Sequence, residues 1–149
     1  MIRIPRSLLD RMLDHLIRAY PEEGCGLLVG RVVDGVRVVE KVVPMRNAFN
    51  GTRRTRYSID PLEYMAVERE EAQRGRIVIG VFHSHPDYPA IPSSYDLEHA
   101  FPEFTYVIAS VSGREVKGLA AWRLDEVLRR FEQEPMEILE EGQDFSDRS

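Results

Sequence analysis

Residues 77–82, Ile-Val-Ile-Gly-Val-Phe, are apolar at nearly every position, so a strand built from them must be covered on both faces. This excludes a sheet with one wet side and requires helices or folded loops on either side. The chain supplies them. After Pro5, Leu8, Leu9, Met12, Leu13, Leu16, Ile17 and Tyr20 recur at three- and four-residue steps and form one face of an amphipathic helix that stops at Pro21. Asp60-Pro61 opens a second helix, with the Asp as N-cap and the proline at the first helical position; it runs to about Arg74 and stops at Gly75. Between the helices, β-branched runs at 25–33 and 36–43 flank Asp34-Gly35 and read as a hairpin. Residues 44–54 read as a loop, and 56–59 as a short strand.

Beyond the central strand, Pro86, Pro89 and Pro92 punctuate a loop that leads to a short helix from Ser93 or Ser94 to about His99. Strands at 104–111 and 117–124 follow, joined by Ser112-Gly113-Arg114; residues 126–139, broken by Pro135, lean towards strand. The expected class is α/β of the α+β kind: helices packed on a mainly antiparallel or mixed sheet, in one domain over residues 1–140, with 141–149 a disordered tail. A chain of 149 residues can bury roughly 70% of its extended surface, so it needs no metal or disulfide to hold a core. Its one cysteine, Cys25, excludes an intrachain disulfide or a cysteine zinc cluster and suits a reducing cytoplasm. With 20 basic against 25 acidic residues and no apolar run near the ~20 needed to cross a bilayer, a cytoplasmic protein with neither nucleic-acid nor membrane partner is expected.

His83-Ser84-His85 follows the apolar strand directly. On a strand, residues i and i+2 leave the same face about 6.6 Å apart, so both imidazoles can lean onto one ion. By itself the pattern also arises by chance. Asp96 falls in the first turn of the next helix, where its carboxylate can turn back to the strand end. Two imidazoles and a carboxylate give a tetrahedral Zn²⁺ three ligands and leave one position for water, the composition of a catalytic site. The prolines keep the intervening loop stiff. Ser93 three residues before Asp96 also reads as a capping box, and its hydroxyl can cap the helix, face a developing oxyanion, or both. A hydrolase needs a base as well, and Glu22 and Glu23, before Gly24-Cys25-Gly26, are the candidates; solvated acids after a helix stop are the equally good bland reading. His99, on the same helical face as Asp96, reads as a packing residue before an alternative ligand or a partner of the ligands, and His15 as a surface or boundary residue of the first helix with no site around it.

Glu23, then His83-Ser84-His85, seven residues, Ser93, two residues and Asp96 resembles the zinc-binding signature of the JAMM (MPN-plus) metalloproteases; Glu23–Gly30 and the His85-Pro86 step look like that family too. The resemblance covers roughly residues 1–125 and implies an MPN, cytidine-deaminase-like mixed sheet flanked by helices. It further implies that His83, His85 and Asp96 bind one Zn²⁺, that Glu23 rather than Glu22 is the general base because it directly precedes Gly24-Cys25-Gly26, and that Ser93 helps hold the oxyanion. Members of the family cleave amide or isopeptide bonds after the C-terminal tail of ubiquitin-like proteins. Small members of this length resemble hydrolases dedicated to sulfur-carrier proteins, releasing cysteine or another amino acid from a Gly-Gly end. The expected partner is such a carrier, whose acidic surface the loop residues Arg46, Arg53, Arg54 and Arg56 can meet; pairing of copies into a homodimer stays open. The competing reading is a non-catalytic binding module on the same fold. A cupin would need a Glu shortly after His-x-His, and a zinc deaminase His-x-Glu with a cysteine pair; the chain has neither.

Overall fold

The computed structural model describes residues 1–140; the tail expected at 141–149 lies outside them. The elements are β1 (Ile2–Pro5), α1 (Arg6–Ala19), β2 (Cys25–Val33), β3 (Val36–Met45), α2 (Pro61–Ala72), β4 (Ile77–Pro86), α3 (Ser94–Glu98), β5 (Thr105–Ser112), β6 (Glu115–Asp125), β7 (Arg130–Glu134) and β8 (Met136–Leu139). The strands form one sheet in the order β7-β6-β5-β4-β2-β3-β1-β8. The pairs β4–β5, β1–β3 and β1–β8 are parallel and the rest antiparallel, so the sheet is mixed, as expected. Opposite ends of this order, β7 and β8, are separated in the chain by Pro135 alone, so the sheet curls back on itself. Pro135 accepts a hydrogen bond from Ile2 N at 3.0 Å at the seam. No helix among the described residues is long and apolar enough to cross a membrane.

The hexamer at 77–82 lies in the middle of the sheet with apolar cover on both sides, as its composition requires. On one face, Leu9, Met12 and Leu16 of α1 pack with Leu28, Ile79, Phe82 and Val107. On the other, Leu27, Val29, Val78, Val81 and Tyr106 meet Tyr64 and Val67 of α2. A bulge at Ile79, where β2 pairs from Gly80 straight to Val78, puts Val78 and Val81 on the same face despite their odd spacing. The Asp34-Gly35 turn has positive φ at both residues, +51° and +78°, the conformation of a type I′ hairpin. Asp60 caps α2 by accepting from Leu62 N and Glu63 N, with Pro61 in the first turn.

Two local expectations change. Residues 56–59 are not a strand: Tyr57 and Ile59 are apolar because they pack on the α2-side cluster, and Ser58 N bonds to the Asn47 side chain at 3.2 Å instead of to a neighbouring strand. Conversely, Ile2–Pro5 pairs between β3 and β8, a four-residue strand too short to stand out by alternation.

Candidate metal centre

β4 runs past its apolar stretch to Pro86 and carries His83 and His85 on the α2 face, both fully buried. Ser84 between them points the other way, and its Oγ accepts from Gly24 N at 2.8 Å. The β2–β4 register pairs Cys25 with His83, which brings Glu23, just ahead of β2, beside the histidines. The Glu23 backbone is tied down further: its N–H donates to Arg53 O at 2.7 Å, and its carbonyl accepts from the Asn47 amide at 3.0 Å. Asp96 arrives from α3. There Ser93 is the N-cap in a complete capping box, its Oγ accepting from Asp96 N at 3.1 Å and its N–H donating to Asp96 Oδ2 at 2.9 Å.

Four side chains therefore converge. His83 Nε2 lies 3.2 Å from His85 Nε2 and 3.4 Å from Asp96 Oδ1, and His85 Nε2 is 3.1 Å from Asp96 Oδ2. Donor atoms of Glu23, His83 and His85 lie within 4.8 Å of one another, so the acid joins the same two imidazoles. Two ligands about 2.0–2.1 Å from a common tetrahedral centre stand about 3.3 Å apart, the spacing these imidazoles and Asp96 present. The protonation pattern fits a cation too. His85 Nδ1–H donates to Pro89 O at 2.7 Å, which leaves Nε2 of the neutral ring with its lone pair facing the cluster. Among the described residues, His83 Nδ1 and Glu23 Oε1 are buried with no hydrogen-bond partner.

The electrostatics separate the two acids. Burial pushes the Glu23 carboxyl up to about 8, against a hydrogen bond from Tyr88 and with help from the Asp96 charge. Burial also works against an ionised Asp96, but the neighbouring His83 and His85 outweigh it and hold this carboxyl well below the usual range. Burial lowers His83, with Asp96 pulling the other way. One acid thus stays anionic beside the imidazoles while the other can carry a proton near neutral pH, a division of labour characteristic of acid–base sites.

Glu22 is exposed and outside the cluster. His99 stacks on Tyr95 at 4.1 Å, and its Nδ1 lies 2.9 Å from the Tyr95 carbonyl oxygen. His15 Nε2 lies 3.0 Å from Cys25 O and its ring meets Phe82 edge-on. Cys25 is buried, its thiol pushed up to about 12 chiefly by that burial. Each basic loop residue has a partner within the chain: Arg46 pairs with Glu63, Arg53 bonds Phe49 O, Arg54 pairs with Asp87, and Arg56 lies over the Tyr95 ring. Three contributors escaped the sequence reading. Tyr57 stacks on His83 at 4.4 Å, Tyr88 stacks on His85 at 4.1 Å while bonding Glu23, and Asn47 holds the loop that carries Tyr57. A cavity of about 410 Å³ opens beside Asp96, walled by Leu27, Tyr57, Tyr64, Val81, Phe104 and Tyr106.

Residues 5–125 match the Prok-JAB family, prokaryotic homologs of the JAB domain. A probable TtuB-protein conjugate cleaving protease of Thermus thermophilus is 35% identical over 113 residues, covering 76% of this chain and 72% of the relative. The CysO-cysteine peptidase of Mycobacterium tuberculosis is 30% identical over 139 residues, 93% of this chain and 91% of that one. Among solved structures, a Desulfitobacterium hafniense protein superposes with a TM-score of 0.83 at 31% identity, covering 95% and 94% of the two chains. A JAB1/MPN domain protein of Archaeoglobus fulgidus, 22% identical, shares the fold with a TM-score of 0.59 over 92% and 98%. Since the matched stretch starts one residue before α1 and ends with β6, it takes in all four converging side chains, and the chain belongs to the prokaryotic JAB-domain homologs as an enzyme of the JAMM type.

Proposed function

We propose that this enzyme hydrolyses the amide or isopeptide bond that follows the C-terminal Gly-Gly of a ubiquitin-like or sulfur-carrier protein, with zinc held by His83, His85 and Asp96. The observation that carries the reading is the convergence of two carboxylates, Glu23 and Asp96, on the same two buried imidazoles, His83 and His85. The relatives named for a TtuB conjugate and for CysO-cysteine support this substrate class.

The metal, when bound, polarises the scissile carbonyl and makes water acidic enough to attack near neutral pH. Glu23 takes the proton from the attacking water and passes it to the leaving amine. Its place, against two imidazoles and under Tyr88, lets one carboxylate do both without moving far. Ser93 uses its oxygen to cap α3, so its O–H hydrogen remains to be donated to the oxyanion as the carbonyl becomes tetrahedral. His85 is kept in one tautomer by Pro89 and in one plane by Tyr88, and His83 is braced by Tyr57. The apolar cavity beside Asp96 takes a side chain next to the scissile bond and keeps water from that flank.

The test is mass spectrometry of a ubiquitin-fold sulfur carrier extended by cysteine, and of the same carrier joined through its terminal glycine to a lysine side chain. Each is incubated with zinc-loaded protein, with protein treated with chelator, and with Glu23→Gln. Release of the appended group by the loaded parent alone, with zinc retained in the variant, is expected. Cleavage by Glu23→Gln at the parent's rate sinks the base assignment. A loaded parent inert on both substrates leaves the binding-module reading standing.

A further inference from the structure

We propose that Tyr88 is the positioning residue for Glu23, its phenol hydrogen fixing the direction in which that carboxylate faces. The inference rests on the catalytic reading of Glu23 given above and adds a residue that the signature does not contain. Tyr88 Oη donates to Glu23 Oε2 at 2.8 Å, which engages one carboxylate oxygen and leaves Oε1 without a partner among the described residues. The phenol can act as a fixed point because Tyr88 is itself held three ways. Its ring lies flat on His85, with centroids 4.1 Å apart and planes 12° from parallel. Its carbonyl accepts from Ser110 Oγ at 2.6 Å. Just before it, Asp87 adopts a left-handed φ of +65° and is clamped by Tyr20 Oη, Ser112 Oγ and Arg54. A glutamate has three rotatable bonds, and among the described residues the hydrogen bond given to its side chain is the one from Tyr88. One hydrogen bond from an immobile ring selects a single arrangement. The same ring touches His85, so the base and one of the imidazoles are referred to a common support.

Tyr88→Phe keeps the stacked ring and removes only the O–H. Two readouts are taken. The first is steady-state hydrolysis of a Gly-Gly peptide amide of aminomethylcoumarin and of the cysteine-extended carrier, with zinc content measured on the same samples. The second is a pair of crystal structures, metal-free parent and variant. The variant is expected to lose about tenfold to a hundredfold in kcat with KM within about twofold and zinc content unchanged. Its Glu23 carboxylate is expected to spread over more than one rotamer where the parent shows one. A Glu23 that keeps the parent's single rotamer in the variant overturns the proposal, and so does a raised KM with kcat intact, which would make Tyr88 a substrate contact. If the parent hydrolyses neither probe, the catalytic reading fails separately, and the two crystal structures still decide whether the phenol orients the acid.

Discussion

Removing the charge of Glu23 should make the metal-free protein more stable, and increasingly so as the pH rises. Glu23 is only 2% exposed, and burial lifts its carboxyl from 4.5 to about 8 although the Tyr88 hydrogen bond opposes the shift. Such a group holds its proton more tightly in the native chain than in the unfolded one. The stability that this supplies is whole below about 4.5 and is lost as pH climbs through about 8. At about 1.4 kcal/mol per pH unit once the unfolded chain has ionised, the native state gives up roughly 3 kcal/mol between pH 5 and pH 8. Glu23→Gln has no proton to lose. The amide can still accept from Tyr88 through its oxygen, and whatever its burial costs is the same at both pH values, so it cancels in the comparison. Urea unfolding of metal-stripped parent and variant at pH 5 and pH 8 measures the difference directly. The variant's advantage should grow by roughly 3 kcal/mol over that interval. An advantage that stays constant across the interval would mean that Glu23 is ionised at little cost in the folded chain, and the division of roles between it and Asp96 would fall.

Other perturbations act on single contacts. Asp96→Asn keeps an acceptor for Ser93 N but removes the charge facing the imidazoles, and should lower zinc affinity roughly tenfold or more, read by titration against a competing chelator. Ser84→Ala leaves the buried Gly24 N–H without its acceptor and should cost about 1–3 kcal/mol in urea unfolding; an unchanged midpoint would refute the role given to that hydroxyl. Gly26→Ala would place a Cβ 2.2 Å from the Phe82 ring and 2.5 Å from Val43 O, so a loss of at least ~1–3 kcal/mol is expected by the same measurement. Asp60→Ala removes the acceptor for Leu62 N and Glu63 N and should cost about 1 kcal/mol, seen as a lower thermal midpoint by circular dichroism.

The parts of this molecule that can be read from sequence are those whose causes lie close together in it. His83, His85 and Asp96 come from one strand–loop–helix unit of fourteen residues, and the capping box that turns Asp96 back is written in the Ser93–Asp96 spacing. The hairpin at Asp34-Gly35 and the start of α2 at Asp60-Pro61 are equally local. Tyr88 and Asn47 gave no such signal. A tyrosine in a loop is unremarked until its partner Glu23, sixty-five residues away, is folded against it, and an asparagine near a proline reads only as loop. Residues 56–59 misled for the opposite reason: alternating apolar side chains mark burial on one side, and here a helix-flanked cavity supplies the burial without any strand partner.

The period of two along β4 explains why the signature has its form. Phe82 and Ser84 face α1, where one fills the core and the other bonds Gly24; His83 and His85 face α2 and gather at the site. The residue between the histidines is therefore no spacer. It anchors the approach to β2, and with it Glu23, to the strand that carries the imidazoles, a link reinforced by Ser84 N donating to Gly24 O at 3.1 Å. Gly26 completes the arrangement by letting Phe82 press against β2 where any side chain would hold the strands apart. A one-residue slip in the β2–β4 register would turn Ser84 and Phe82 into the site and bury the imidazoles under α1. The separation of the acid from the histidines along the chain is thus closed by strand pairing, and the pairing is fixed by the same residues that alternate with the donors.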